Sequence, residues 1–265
     1  MAAAADTQPM DSTEARDSRP RGRSGRDRQG HDKQRHDRTR AGTAAGRRVS
    51  QTQRAYDELK QLILDNVLPA GTQALEQEVA IRLQMSRTPV REALIRLAQE
   101  GMVEVRPRHG MRVLPVSVDD MREIYAILAS LEAAAAASAA RRGLREDQLA
   151  ALDAAVQAME DAVRRGDREA WAANDATFHR LLVEFSGNRR LAAMVDTVRD
   201  QSHRVRILTL GLRPMPVNSN RDHAAVLEAI RRRDPETAYR EHHRHREEAG
   251  VMLTALLEQH GLDHL

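Results

Sequence analysis

The sequence predicts a mostly α protein: an N-terminal winged helix-turn-helix with a small β-hairpin wing, followed by an all-α six-helix bundle. Three observations carry this. Composition is rich in Ala, Leu, Arg and Glu, which favour helix. Strand-like alternation is confined to residues 102–114, while apolar residues elsewhere recur at helical spacing. Glycine, proline and Asp-Pro breaks cut the C-terminal part into six periodic segments.

Composition bounds the rest. The chain has 265 residues, enough for two domains, and aromatics make up only 2% of them, so the cores are expected to be aliphatic. With no cysteine, disulfides, thiolate metal sites and a cysteine nucleophile are excluded. No apolar run is expected to approach the roughly 18–20 residues of a membrane span, and the start lacks the apolar block of a secretory signal. A cytoplasmic location with no membrane partner is the expectation. Residues 1–50 hold 12 Lys/Arg against 7 Asp/Glu and almost no large apolar residue, so they read as a disordered basic extension. Such an arm adds salt-sensitive attraction to phosphates, or is a solvated extension without a specific role.

Residues 51–116 are expected to form the first domain. Ala55–Asn66 is helix-periodic, Leu68-Pro69-Ala70-Gly71 breaks it, and Leu75–Leu83 makes a short second helix. Gln84-Met85 then turns into a third helix. Ser86 is placed as its N-cap, Pro89 sits in the first turn, where a missing N–H costs little, and Val90, Ala93, Leu94 and Leu97 share one face. Two helices joined by a tight turn make a helix-turn-helix whose second member reads the major groove. Arg87, Thr88, Arg91 and Arg96 remain for other faces, where Arg can bridge guanine O6 and N7 or clamp phosphate. An ordinary amphipathic helix with solvated arginines fits the same pattern. Gly101 is placed at the helix C-cap, and Met102–Arg106 and Met111–Leu114 pair as strands around the turn Pro107-Arg108-His109-Gly110. Ser86, Arg96, Arg108, His109 and Gly110 join Arg87, Thr88 and Arg91 as candidate DNA contacts.

The run from LPAGTQALEQEV through SRTPVREAL to EGMVEVRPRHGMRV resembles the DNA-binding domain of the GntR family of bacterial transcription regulators over residues 53–116. The resemblance implies DNA contact by Arg87, Thr88 and Arg91, with Gly110 at the wing tip near the minor groove. Many relatives carry another arginine early in the second helix, where this chain has Gln77.

Residues 117–265 read as one helical domain, with segments at about 119–142, 145–165, 167–185, 188–212, 219–233 and 235–260. Ser117 or Asp119 caps the first. Asp175 and His179 stand one helical turn apart, which sets a carboxylate beside an imidazole. That is a workable half of a divalent metal site, although such a pair by itself is more often structural or incidental. His223 opens a later helix, and His245 lies in the run His242-His243-Arg244-His245. Each alone reads as a polar or solvated position.

The series D-x-x-F-H, S-G-N, H-x-x-V-L-E-A-I and R-D-P-E-x-A followed by His is similar to the FCD ligand-binding domain of one GntR subfamily, and the count of six helices resembles its VanR-like branch. The resemblance implies a divalent metal ion (Zn, Ni or Mn) on Asp175, His179, His223 and His245, and a small carboxylate effector beside it. Where relatives carry an arginine in the first bundle helix that can pair with an organic acid, this chain has Leu128. The resemblance therefore implies an effector that is less acidic, is bound chiefly through the metal, or is anchored by Arg204 or Arg206, two residues that also read as surface charges. The expected whole is a homodimeric, metabolite-responsive DNA-binding regulator, most often a repressor in this family, acting on a double-stranded operator with an inverted repeat. Two alternatives stand beside it: a helical domain that only dimerises, and a metal-dependent enzyme, for which no nucleophile-base pair accompanies the ligands.

Overall fold

The computed structural model describes residues 50–262, Pro107 excepted; the extension read over residues 1–50 lies, but for Ser50, outside the described residues. Helix α1 (Gln51–Leu64) begins four residues before the expected Ala55, because the Ser50 hydroxyl accepts from Gln53 N at 3.0 Å and supplies a cap upstream. Helices α2 (Glu76–Arg82) and α3 (Arg87–Gln99) follow, joined through Gln84, whose φ of 53° makes the tight turn. Glu78 accepts from Leu75 N at 2.8 Å and so satisfies a free N–H at the start of α2. Ser86 occupies the N-cap position of α3 as expected, but its hydroxyl makes no capping bond.

The wing has three strands rather than two. Strand β1 (Gln73–Ala74) lies between the Leu68–Gly71 break and the second helix, where no element was expected, and it pairs antiparallel with β3 (Gly110–Val113), whose other edge pairs with β2 (Val103–Arg106). Two residues are too short a run for alternation to be visible. Gly110 is required here: its φ is 77°, and a Cβ would meet the Ala74 carbonyl oxygen at 2.1 Å. One aliphatic cluster, including Leu59, Ile63, Val90, Leu94, Leu97, Met111 and Val113, joins α1, α2, α3 and the sheet.

The bundle comprises α4 (Val118–Arg142), α5 (Glu146–Arg165), α6 (Arg168–Phe185), α7 (Arg189–Leu208), α8 (Val217–Arg231) and α9 (Pro235–Gln259). Each break lies where the sequence placed it, and the caps explain why. Ser117 and Asp120 cap α4 reciprocally, Asp167 accepts from Ala170 N, Asn188 from Arg190 N and Leu191 N, and Asp234 from Thr237 N. The fourth segment ends earlier than 212, at Leu208, and a single 3-10 turn (Leu210–Leu212) leads to α8. Helix α4 passes through the middle of the bundle. At Gly250 helix α9 comes so close to α4 that a Cβ would lie 2.8 Å from that of Tyr125.

Helix α4 corrects one expectation: by length and composition it is apolar enough to cross a membrane. Its alanines raise the average without forming an unbroken apolar run. Most of those side chains are instead buried against the other bundle helices, along with the charged Glu132.

Candidate metal centre and nucleic-acid interface

Three helices deliver four side chains to one buried point. Asp175 and His179 project from α6, His223 from the first turns of α8, and His245 from α9, and one ligand atom of each lies within 4.8 Å of all the others. All four are buried, with His179 and His223 fully so. His179 Nε2 and His223 Nε2 stand 3.2 Å apart, with Asp175 Oδ1 at 3.5 and 3.4 Å from them. Burial pushes the His223 imidazole well below its usual range and that of His245 downward, so neutral nitrogens face one carboxylate. Burial would raise the Asp175 carboxyl, but His179, Arg206 and His223 hold it well below the usual carboxylate range. Facing imidazole nitrogens and one anionic oxygen, all within 4.8 Å of one another, fit a divalent cation of borderline hardness.

The polar atoms behind these ligands are ordered too. His245 Nδ1 lies 3.3 Å from Asp222 Oδ2, and Asp222 accepts from Arg244 at 2.6 Å. His179 Nδ1 lies 3.1 Å from Glu132 Oε2 and 3.2 Å from His242 Nε2. Arg246 Nε and Nη2 donate to Glu132 Oε2 and Oε1 at 2.6 and 2.9 Å. Glu132, His242 and Arg246 were not among the candidates. A signal existed: Glu132 is the sole charged residue between Glu123 and Arg141. His242 and Arg246 share the inner face of α9 with His245, whereas His243 turns outward, stacked on Tyr239.

A cavity of about 400 Å³ opens beside the cluster, bordered by Asp175, Arg206, Arg213, Asp222 and His245 among others. Of the two proposed effector arginines, Arg206 reaches it and donates from Nη2 to Asp175 Oδ2 at 2.5 Å. Arg204 does not; its place on α7 turns it to the junction with the wing, where it is buried and donates to the Leu114 carbonyl oxygen at 2.6 Å. Leu128, at the position of the missing arginine, is buried in the core. Arg213, after the 3-10 turn, was not foreseen. Its Nη2 donates to Arg206 O and Thr209 Oγ1, its buried Nε has no partner, and burial pushes its guanidinium down to about 10.

On α3 the expected apolar face is buried, and Ser86, Arg87, Thr88 and Arg91 are exposed at the N-terminal end. Among the described residues the exposed guanidinium groups of Arg87 and Arg91 make only long ion pairs with Glu76, at 3.5 and 3.8 Å, which leaves their donors available. Arg96 departs from the expectation. Its guanidinium lies 3.6 Å from the Tyr56 ring centroid and donates to Gln53 Oε1, so it fastens α3 to α1. At the wing, Arg108 and His109 are exposed, but Gly110 is buried under β1 and is not the tip; its role is steric.

The fold defines a class: a winged helix-turn-helix domain joined to an all-α helical bundle. Residues 51–113 match the bacterial regulatory proteins of the gntR family, and residues 123–248 match the FCD domain. An HTH-type transcriptional regulator of Agrobacterium vitis, from the TAR-I ttuE-ttuC' intergenic region, is 41% identical over 144 residues, 52% of this chain and 84% of that protein. The transcriptional repressor RspR of Escherichia coli is 28% identical over 74% of this chain and 86% of its own length. Among solved structures, E. coli McbR/YncC shares the fold, with a TM-score of 0.66 at 23% identity, covering 80% of this chain and 99% of that one. The chain belongs to the GntR family, FCD subfamily, and is a DNA-binding transcriptional regulator and not an enzyme.

Proposed function

We propose that this chain is a cytoplasmic, homodimeric repressor in which residues 51–116 read an inverted-repeat operator and residues 117–265 bind a divalent metal ion (Zn, Ni or Mn) and a small carboxylate. Arg87, Thr88 and Arg91, with Ser86, Arg108 and His109 at the margins, meet the duplex. Asp175, His179, His223 and His245 hold the metal. When bound, the cation supplies positive charge and a Lewis-acid position to a ligand oxygen at the edge of the cavity. Arg206 and Arg213 offer the carboxylate its hydrogen bonds.

The observation that carries this reading is the position of α7. At one end Arg206 holds the Asp175 carboxylate. Within six residues, about 9 Å of helix at 1.5 Å each, three side chains grip the winged part. Arg204 donates to Leu114 O, Gln201 Nε2 to Glu100 O at 2.7 Å, and Asp200 accepts from Lys60 at 2.5 Å. A carboxylate that draws Arg206 from Asp175 moves the helix that seats the C-terminal end of α3. An effector binding the two arrangements unequally shifts operator affinity by a coupling of about 1–3 kcal/mol.

The test combines two measurements. A thermal-shift screen of organic and sugar acids, with and without Zn, Ni or Mn, identifies the ligand, because only a molecule that favours the native state raises Tm. Operator duplexes selected from a random pool are then titrated at fixed salt with and without that ligand. Weaker binding in its presence is expected; no selected duplex, or identical affinity with and without a ligand that raises Tm, overturns the regulatory reading.

A further inference from the structure

His179 faces two polar groups at once, and its two ring nitrogens divide them. Nε2 lies with Asp175 and His223, while Nδ1 lies with Glu132 and His242. Both groups have the composition of a metal site: Asp175, His179, His223 and His245 on one side, and Glu132, His179 and His242 on the other. An imidazole shared in this way can bridge two cations, or it can serve one cation and be steered from behind. The difference is chemical, since a bridging ring carries no N–H and a steered ring carries one on Nδ1.

Arg246 separates the two cases. Its guanidinium spans both oxygens of Glu132, at 2.6 and 2.9 Å, and carboxylate and guanidinium are both buried. A cation among Glu132, His179 and His242 would sit against a positive charge fixed to the same carboxylate. The arrangement instead suits His179 with its proton on Nδ1: Glu132 Oε2 lies 3.1 Å from that nitrogen, which leaves the Nε2 lone pair for the other side. His242 completes the wall, with Nε2 3.6 Å from the same oxygen and Nδ1 without a partner.

We propose that Glu132, held by Arg246, is the positioning residue that fixes His179 as an Nε2 ligand and keeps a second metal ion out of the group Glu132, His179 and His242. The proposal rests on the metal reading above. A protonated Nδ1 and a carboxylate behind it make the ring more basic toward the cation, and the two hydrogen bonds from Arg246 fix where that carboxylate sits.

Zn is the probe. Protein prepared without an affinity tag and stripped with chelator is reloaded, its metal content is measured by elemental analysis, and its affinity by competition with a chromophoric chelator. Expected are one Zn per chain in the wild type and in H242L, and a 10–100-fold loss of affinity in E132Q. Because E132Q strands a buried guanidinium, E132Q/R246M, which removes both charges, is measured beside it and is expected to lose affinity while remaining folded. Long-range 1H–15N spectra of the wild type should show His179 protonated on Nδ1. Two Zn per chain with one lost in H242L, or unchanged affinity in a folded E132Q/R246M, overturns the proposal while leaving the metal site standing. A wild type that binds no Zn overturns both.

Discussion

Gln201 on α7 donates through Nε2 to the main-chain oxygen of Glu100, the C-cap of the recognition helix, at 2.7 Å. The adjacent Asp200 accepts from Lys60, whose ammonium also reaches Glu100 and the Tyr56 hydroxyl. Burial lowers the Lys60 ammonium, but Asp200, Tyr56 and Glu100 together raise it above its usual range, so the ion pair is charged at any physiological pH. Replacing Gln201 and Asp200 with Ala and Asn removes this grip without touching either binding surface. The Zn-induced rise in Tm should survive in the double variant, while the ligand-dependent change in operator affinity falls to within about twofold of none, against the 5–150-fold of an ordinary coupling. Retained response with both contacts gone would mean that the signal travels by another route.

The three arginines of α3 should divide into two kinds. Arg87 and Arg91 are exposed with weak partners, and a good bidentate contact to a base is worth about 1–3 kcal/mol. Arg87→Ala and Arg91→Ala are therefore expected to weaken operator binding by roughly 5–150-fold with Tm unchanged. Arg96→Ala should do the reverse. Losing the stack on Tyr56 and the bond to Gln53 costs about 0.5–2 kcal/mol of stability, with little change in affinity once the protein is folded. Gel-shift titration at one salt concentration and thermal melts separate these outcomes.

This division marks how far the sequence could be read. Helix boundaries and the buried face of α3 follow from periodicity and caps, which are local, and the structure places them within a few residues of expectation. The Asp175–His179 pair is local too. Its partners on α8 and α9 were reached through resemblance, and the structure gathers them at one point. What local pattern did not disclose depends on contacts between distant segments: Arg96 turning back to Tyr56 across 40 positions, Arg204 facing Leu114, and Glu132 meeting Arg246 from the far end of the chain. Glu132 was nonetheless visible as an isolated charge in an apolar helix. Such a residue requires a partner when buried, and that requirement is the signal to look for one.

The metal-free protein should lose stability early on acidification. Burial pushes the imidazoles of His223 and His242 well below their usual range, and that of His245 downward as well, whereas the unfolded chain titrates near pH 6.5. Below about pH 6.5 the unfolded state therefore binds protons that the native state refuses. Stability is full above that pH and declines as pH falls toward the depressed native values. With three such groups the slope approaches about 4 kcal/mol per pH unit. Chelator-treated protein should show a Tm that is level between pH 7.5 and 8.5 and drops steadily from pH 6.5 to 5.5. His242→Met should lessen the drop by about one proton's worth. A flat Tm across pH 5.5–7.5 would show that these imidazoles are not held neutral.

Arg213 provides the last test, because it can separate the metal from the effector. Its Nη2 is occupied by Arg206 O and Thr209 Oγ1, yet its buried Nε has no acceptor, and burial has pushed the group down to about 10. It is still a cation at neutral pH, but one stripped of water and short of a partner, at the border of a 400 Å³ cavity. A carboxylate arriving there would supply the missing acceptor, and a charge-assisted hydrogen bond of that kind contributes about 1.5–3 kcal/mol. Arg213 touches none of the four metal ligands through a hydrogen bond among the described residues. Arg213→Gln should accordingly keep the Zn-induced rise in Tm at its wild-type size. The further rise produced by the organic acid should disappear at the same concentration, with affinity lower by roughly 10–150-fold, the range that energy implies. Arg206→Gln, which also removes the partner of Asp175, should weaken both responses. If Arg213→Gln bound the acid as tightly as the wild type, the carboxylate would have to be anchored elsewhere on the cavity wall.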